Sequence, residues 1–238
     1  MARKHRNGKR GIKEKFMEQR FSHPPSVPKT AKQAQYIKAL RQHNQVVSLG
    51  CAGTGKTYVA ATFAAELYVK GQIDKIVLTR PNMPSGRSLG SFPGSLEEKM
   101  APWTAPVTQI LRKYLGGAYD TAVRAKAIEV IPFETMRGAT FDNAFVLLDE
   151  AQNTSPEEMQ MFCTRIGEES RVVINGDLQQ SDIKSDSGLA VLMSLISRQS
   201  LPVPVIEFDA DDIVRSGACE MWVRAFAGLP QRQNIAAA

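Results

Sequence analysis

Short apolar runs alternate with longer stretches that are apolar on one side along most of the chain. Continuous apolar runs predict strands buried on both faces of a sheet, and one-sided stretches predict helices. The predicted strands are Val46–Leu49, Ile76–Thr79, Ile128–Ile131, Phe145–Leu148, Val172–Ile174 and Val205–Phe208. The predicted helices are Thr30–Leu40, Lys56–Lys70, Glu97–Leu115, Thr121–Ala127, Pro156–Arg165, Gly188–Ser197 and Ser216–Gly228. This alternation predicts an α/β fold whose mostly parallel sheet carries helices on both faces.

The two ends of the chain and one internal segment depart from this pattern. Residues 1–24 are polar and basic without apolar periodicity, which predicts a flexible N-terminal tail. One domain is predicted over residues 25–228, followed by a short C-terminal tail over residues 229–238. Residues 81–104 are rich in proline and glycine, and a long irregular segment within a compact domain is either functional or disordered.

The composition is ordinary for a globular domain, with 43% hydrophobic residues in a chain of 238. No segment approaches the ~20 apolar residues that span a membrane. The basic N-terminus is not followed by the apolar run of a secretory signal, so the sequence predicts a cytoplasmic protein. The three cysteines, Cys51, Cys163 and Cys219, are widely spaced and odd in number, which indicates neither a disulfide framework nor a zinc site.

The net charge of +6 is concentrated at the N-terminus. Residues 1–20 hold eight Lys or Arg residues against Glu14 and Glu18, so the remainder of the chain is neutral. A basic block of this kind favours contact with the phosphates of a nucleic acid. The alternative is a solvated tail that only aids solubility.

A glycine-rich segment between a predicted strand and a predicted helix has the full pattern of a phosphate-binding loop. Its backbone N–H groups and the N-terminus of the following helix would surround phosphate oxygens. Lys56 would reach the β- and γ-phosphates, Thr57 would bind Mg²⁺, and Cys51 fills a position that needs a small residue. A chance glycine-rich turn is the alternative, and the flanking strand and helix argue against it. The loop consists of Gly50, Cys51, Ala52, Gly53, Thr54, Gly55, Lys56 and Thr57.

Polar side chains follow two further predicted strands. Asp149 and Glu150 end the apolar run Phe145–Leu148, where Asp149 could hold Mg²⁺ and Glu150 could orient an attacking water. A helix N-cap is the alternative for this acidic pair. Gln180 follows Val172–Ile174 and could contact the γ-phosphate or the water, although a surface glutamine in a turn is the simpler interpretation without the other motifs.

These motifs in this order resemble the PhoH-like family of P-loop ATPases, which is similar to the first motor domain of superfamily 1 helicases. The resemblance covers residues 28–227 and rests on the strings GCAGTGKT, LTRP, GSLEEKMAPW, MRGATF, LLDEAQNT, NGDLQQSD and DIVRSG. It implies an ATPase that uses Mg²⁺, with Gln33 reading the adenine, Gln180 sensing the γ-phosphate and Arg215 near the nucleotide. It also makes a homo-oligomer plausible, in the form of a hexameric ring, with Arg215 acting either within or between subunits.

The same resemblance implies contact with RNA or single-stranded nucleic acid. The sequence has no recognition-helix or RNA-module signature, which predicts binding without sequence specificity. Arg80 and Arg137 are the candidates for phosphate contact, and each could equally pair with a carboxylate. Trp103 and Phe92 could stack on bases, although packing is the more common role for such residues. The family often has arginine where this chain has Ala139. The chain leaves no room for a second motor domain, so strand translocation by one monomer is not expected.

Two alternatives to a nucleic-acid-coupled ATPase stay open at this point. One is a P-loop kinase of a small metabolite, which Glu150, Gln180 and the lack of a recognisable acceptor site argue against. The other is a nucleotide-gated RNA-binding protein with ribonuclease activity. In that case the acidic group Asp209, Asp211 and Asp212 would bind a metal, whereas an exposed acidic turn is the more common interpretation.

Overall fold

The structure is a computed structural model that describes residues 27–81, 96–178, 180 and 187–227. The two predicted tails, at residues 1–24 and 229–238, lie outside the described residues, as do Phe92 and the side chain of Trp103. The described residues therefore include most of the predicted domain and all of its predicted strands.

One parallel sheet of six strands forms the centre of the described residues, in the order β3-β2-β4-β5-β1-β6. The predicted α/β fold with a parallel sheet is confirmed, and the sheet is parallel throughout. The strands are β1 Gln45–Leu49, β2 Lys75–Thr79, β3 Ile128–Val130, β4 Ala144–Leu148, β5 Arg171–Gly176 and β6 Val205–Glu207.

Seven α-helices accompany the sheet in the part of the chain that the structure describes. The predicted helix Thr121–Ala127 lies earlier in the chain, because Lys126 adopts a left-handed conformation with φ 54° that ends the helix before β3. None of the described helices is long and apolar enough to cross a membrane. The helices are α1 Ala31–Gln42, α2 Lys56–Val69, α3 Leu96–Leu115, α4 Ala118–Arg124, α5 Pro156–Cys163, α6 Gly188–Arg198 and α7 Gly217–Ala227.

Successive residues of the central strands alternate between two apolar clusters, one on each face of the sheet. In β2, Ile76 and Leu78 pack into the cluster formed with α1 to α4, while Val77 packs into the cluster formed with α5 and α6. Side chains alternate across a strand, so a strand covered on both faces needs apolar residues at every position. This is the physical reason for the continuous apolar runs in the sequence.

The strands β1, β2, β4 and β5 end at one edge of this sheet, because all of them run in the same direction. The loop after β1, the segment after β2, the acidic pair after β4 and the polar residues after β5 are therefore brought together. Sites in parallel sheets form at this carboxyl edge, outside the strand ends.

Candidate nucleotide-binding site

The loop between β1 and α2 is the first part of the site. Gly50, Gly53 and Gly55 all have positive φ, at 128°, 93° and 86°, which turns the backbone into a curl that leads directly into α2. Lys56 lies at the first position of α2, and its Nζ donates hydrogen bonds to the carbonyl oxygens of Gly50 and Cys51, the latter at 2.9 Å. The lysine ammonium is thus held over the loop that would carry the phosphates.

Burial lowers the pKa of the Lys56 ammonium, and the carboxylate of Asp177 is the strongest charge that opposes this shift. Asp177 is itself buried and follows β5, so it reaches the loop from the neighbouring strand. Its backbone carbonyl accepts a hydrogen bond from the backbone N–H of Gln180 at 3.2 Å. Asp177 therefore balances the lysine charge and also positions the turn that carries Gln180.

Gln33 is buried against the phosphate loop on the α1 side. Thr30 caps α1 by accepting a hydrogen bond from the backbone N–H of Gln33. The Gln33 side chain accepts from the backbone N–H of Lys29 at 2.8 Å and donates to the carbonyl oxygen of Thr54 at 2.9 Å. A Cβ at Gly55 would lie 2.7 Å from Gln33 Nε2, so the glutamine packs closely on the loop.

A hydroxyl and a carboxylate meet at the start of α2 and the end of β4. Thr57 Oγ1 donates to Asp149 Oδ1 over 2.9 Å. Burial raises the pKa of Asp149, and the charge of Glu150 raises it further, whereas the hydrogen bond from Thr57 lowers it. Mg²⁺ prefers oxygen ligands and usually binds proteins through one or two of them, together with water and phosphate oxygens. This pair of oxygen donors therefore fits Mg²⁺.

Glu150 is held in an unusual backbone conformation and by two side chains. Its φ of 58° and ψ of 41° lie in the left-handed region, which is uncommon for a residue other than glycine. Arg80 Nη2 lies 3.6 Å from one carboxylate oxygen of Glu150, and Gln152 Nε2 donates to the other at 2.7 Å. Gln152 Oε1 in turn accepts from the backbone N–H of Asp177 at 3.0 Å. Strained conformations of this kind concentrate at functional sites.

These groups line one cavity of about 680 Å³ at the carboxyl edge of the sheet. The predicted residues Gln33, Arg80 and Gln180 lie in its wall, as does the exposed Arg215. Pro106, Ile110 and Lys113 of α3 complete the opposite side. The predicted residues that the cavity contacts are Gln33, Gly50, Ala52, Gly53, Gly55, Lys56, Thr57, Arg80, Asp149, Glu150, Gln180 and Arg215.

Two predicted residues of the loop, Cys51 and Thr54, lie beside the cavity rather than in its lining. Thr54 is buried, and its hydroxyl donates to the carbonyl oxygen of Cys51, which stabilises the turn of the loop from inside. Arg137 is exposed in the turn after β3 and is not among the residues that line the cavity in the described part of the chain. The structure thus brings Arg80 to the nucleotide cavity and leaves Arg137 at a separate position.

The acidic group after β6 is engaged in its own local structure. Asp209 accepts from the backbone N–H of Asp211, and Asp212 accepts from the backbone N–H of Asp209, so the two cap a short 3-10 helix at Ala210–Asp212. Asp211 pairs with Arg224 of α7 at 2.7 Å. Among residues 27–81, 96–178, 180 and 187–227, no group of three or more His, Cys, Asp or Glu side chains could hold a metal. The carboxylates of Asp209, Asp211 and Asp212 are thus engaged in helix caps and an ion pair.

The sequence analysis missed three polar residues of the site. Gln152, Asn175 and Asp177 appeared in the motif strings but received no role there. Their signal was available, because each is a polar residue at or just after the end of an apolar strand. Their distant partners were not, since Gln152 reaches the backbone of Asp177, and Asn175 reaches Asp149, only once β4 and β5 are paired.

Comparisons with known proteins agree with this architecture. The sequence profile of the family described as "PhoH-like protein" matches residues 26–227. A PhoH-like protein of Bacillus subtilis is 42% identical over 201 residues, which cover 83% of this chain and 63% of that protein. Protein PhoH of Escherichia coli K12 is 36% identical over 208 residues, which cover 85% of this chain and 58% of that protein. The chain thus spans less than two thirds of the length of these relatives.

Among solved structures, the UvsW helicase of bacteriophage T4 is similar with a TM-score of 0.50 and 10% sequence identity. The similarity covers 84% of this chain and 67% of the helicase chain. At this identity the comparison concerns the fold alone, and it agrees with an architecture of parallel strands and flanking helices.

Proposed function

Because the chain belongs to the PhoH-like protein family, we propose that it hydrolyses ATP with Mg²⁺ and couples hydrolysis to RNA or single-stranded nucleic acid. The observation that carries the hydrolysis is the contact of Thr57 with Asp149 at 2.9 Å, with Glu150 as the next residue in the same cavity as Lys56. A phosphate-binding lysine, an oxygen pair for Mg²⁺ and a carboxylate for water are the parts that triphosphate hydrolysis requires.

The roles follow from these positions. Lys56 would leave the loop carbonyls to bind the β- and γ-phosphates, and Thr57 and Asp149 would hold the Mg²⁺ ion. When bound, the ion would supply positive charge against the phosphate oxygens. Glu150 orients a water whose oxygen bonds to the γ-phosphorus as the bond to the β–γ bridging oxygen breaks. The products are ADP and inorganic phosphate, and the proton from the water passes through the Glu150 carboxylate to solvent.

Three further residues support this assignment from the cavity wall. Gln33 lies beside the loop and lines the cavity, and we assign it to the adenine. Gln180 reaches the cavity from the turn after β5, where it would contact the γ-phosphate or the water. Arg215 reaches the loop of its own chain, because a Cβ at Gly53 would lie 3.2 Å from Arg215 Cγ. We therefore assign Arg215 to the nucleotide of its own subunit.

The coupling to nucleic acid rests on the family and on charge. Residues 1–20 carry the whole excess of +6, which favours phosphate contact. Arg80 pairs with Glu150 and so links nucleic-acid binding to the reaction. A phosphate of the nucleic acid that competed for this arginine would change the contacts of the carboxylate that orients the water. A homo-oligomer in the form of a hexameric ring, contact through Arg137 and a cytoplasmic location stay predictions.

Phosphate release from ATP by the purified full chain tests the hydrolysis. We expect Mg²⁺-dependent release of free phosphate, stimulated by single-stranded RNA or DNA. Replacing Glu150 with Gln should lower kcat about 10²- to 10⁴-fold, as expected for loss of a general base, while nucleotide binding persists. The matched control is Glu168→Gln, because Glu168 is exposed and does not line the described cavity.

The same assay separates the alternatives. A phosphorylated metabolite in place of free phosphate would identify a kinase and refute the hydrolysis. Full activity in Glu150→Gln would remove Glu150 from the mechanism. Equal phosphate release with and without RNA or DNA, combined with no binding of either strand, would refute the coupling and leave the ATPase assignment intact.

A further inference from the structure

A chain of buried polar side chains joins α1, β1 and β5 beneath the nucleotide cavity. The Tyr36 hydroxyl donates to Asn175 Oδ1 at 3.0 Å, and the Ser48 hydroxyl donates to the same oxygen at 2.6 Å. On the other side of its amide, Asn175 Nδ2 faces Asp149 Oδ1 at 3.4 Å. Tyr36 and Ser48 are fully buried and Asn175 is 1% exposed, so water does not compete for these contacts.

The chemistry of the amide makes this arrangement directional. A carboxamide has an oxygen that only accepts hydrogen bonds and a nitrogen that only donates them. The hydroxyls of Tyr36 and Ser48 both donate to Oδ1 of Asn175. Because a carboxylate only accepts, the amide nitrogen is the group directed at Asp149. If the amide turned over, its oxygen would face the Asp149 carboxylate, two acceptors would meet in a buried place, and both would lose a partner.

Asp149 is consequently oriented from two sides. Its Oδ1 accepts from the Thr57 hydroxyl at 2.9 Å and lies next to the Asn175 amide. Ligands of a metal are commonly held in this way by outer partners, whose loss weakens metal binding. Of these two partners, Thr57 would itself bind Mg²⁺. Asn175 lies on β5, and the Tyr36 and Ser48 hydroxyls hold its amide from the side away from Asp149.

The chain also connects the two ends of the site. Tyr36 lies three residues after Gln33 on α1, so the two residues lie on the same side of the helix. Gln33 contacts the phosphate loop, and Tyr36 contacts the amide that faces Asp149. One helix thus contacts both the phosphate loop and the amide that faces Asp149.

We propose that Asn175 is a positioning residue for Asp149, and that the Tyr36 and Ser48 hydroxyls hold its amide in the orientation required for Mg²⁺-nucleotide binding. The proposal rests on the proposed ATPase function, in which Asp149 is a ligand of Mg²⁺. None of the three residues needs to contact the nucleotide for the effect, because they act through Asp149.

Nucleotide binding measured against Mg²⁺ concentration tests the proposal without requiring hydrolysis. The probe is a fluorescent ADP analogue, titrated onto the full chain with Mg²⁺ or with EDTA. The Tyr36→Phe/Ser48→Ala double variant should need about 10-fold more Mg²⁺ for half-maximal binding, within the 10- to 100-fold range typical of outer-partner loss. Binding in EDTA should be unchanged. Tyr36→Phe alone, which deletes one oxygen, should shift the Mg²⁺ requirement by a smaller factor in the same direction.

Tyr119→Phe is the matched control. Tyr119 is also a buried tyrosine of the apolar cluster formed with α1 to α4, and it is not among the residues that line the described cavity. It should leave the Mg²⁺ requirement unchanged while removing one tyrosine hydroxyl, as Tyr36→Phe does.

The outcomes separate the two proposals. A wild-type Mg²⁺ requirement in the folded double variant, or an equal loss of binding with Mg²⁺ and in EDTA, overturns the positioning role. If the double variant does not fold, Tyr36→Phe decides, and an unchanged Mg²⁺ requirement in that variant overturns the proposal. If the wild-type chain binds Mg²⁺-nucleotide and releases no phosphate, the ATPase function fails while the shift in Mg²⁺ requirement still supports the role of Asn175.

Discussion

Replacing Gly50 with alanine tests whether the phosphate loop is held by close packing as well as by its backbone conformation. Gly50 has a φ of 128°, a region that side chains rarely adopt. A Cβ added there would lie 2.1 Å from the carbonyl oxygen of Phe208, which is a backbone atom just after β6. The backbone N–H of Phe208 donates to the carbonyl oxygen of Leu49 at 2.8 Å. This hydrogen bond holds the segment against β1, so the segment cannot easily move away from an added Cβ.

The cost has two parts. Holding a non-glycine residue in a disfavoured backbone region costs about 1–3 kcal/mol. Forcing extra volume into a packed place adds about 1–3 kcal/mol. The Gly50→Ala variant should therefore lose about 2–6 kcal/mol of its free energy of unfolding. For a domain of this size about 1 kcal/mol lowers the melting temperature by ~2–4 °C, so the expected decrease is roughly 4–24 °C.

Two other glycines provide matched controls for the two parts. Gly116 has a φ of 55° and no atom within 4 Å of an added Cβ, so Gly116→Ala should show the backbone cost alone, about 1–2 kcal/mol. Gly117 has a φ of −60° and also has open space around its Cβ. Gly117→Ala should be neutral or stabilising by about 0.4–1 kcal/mol, because alanine restricts the unfolded chain.

Urea or thermal unfolding followed by circular dichroism measures all three variants on the full chain. The expected order of stability is Gly117→Ala, then Gly116→Ala, then Gly50→Ala. If Gly50→Ala unfolds within error of Gly116→Ala, the close approach of the loop to Phe208 contributes nothing, and the packing argument for this glycine is refuted.

Three further predictions concern the site and the thiols. Gln152→Ala removes a hydrogen bond to a charged group, which contributes about 1.5–3 kcal/mol. Because Glu150 then loses its orientation, kcat for phosphate release should fall about 10- to 100-fold. An unchanged kcat would contradict this prediction. Arg215→Ala mixed with wild-type chain should lower activity in proportion to its fraction; a steeper loss would mean that the arginine acts between subunits. Burial raises the pKa of the Cys163 thiol to about 11, so at pH 8 it should react with iodoacetamide more slowly than Cys219, as measured by mass spectrometry; equal rates would refute this.

The strands could be predicted closely, and the reason is local. Each strand of a doubly covered parallel sheet must be apolar at every position, and the run Phe145–Leu148 shows this over its whole length. The predicted helix Thr121–Ala127 was displaced by three residues, because a left-handed residue at Lys126 decides where the helix ends. That conformation follows from the hydrogen bond of the Ala127 N–H to Ala122 and from the pairing of β3 with β2, which no local pattern reports.

The sequence alone determined the phosphate loop, the carboxylates and the fold class. The loop glycines, Lys56 and Thr57 are adjacent in the chain, so their geometry is carried by a few consecutive residues and their spacing identifies the motif. The acidic pair was recognisable for the same reason, because Asp149 and Glu150 directly follow an apolar run whose direction in the sheet is fixed by the parallel pattern.

Only the tertiary structure decided which polar groups hold these residues in place. Arg80 and Asn175 come from two different strands, and they contact Glu150 or Asp149 only because β2, β4 and β5 lie next to one another. Gln152 contacts Glu150 locally and reaches the backbone of Asp177 through the same strand order. Strand order is set by how whole apolar faces pack together, which no single segment encodes. Short motifs therefore specify the chemistry of the site, while the orientation of its side chains depends on contacts between residues distant in the chain.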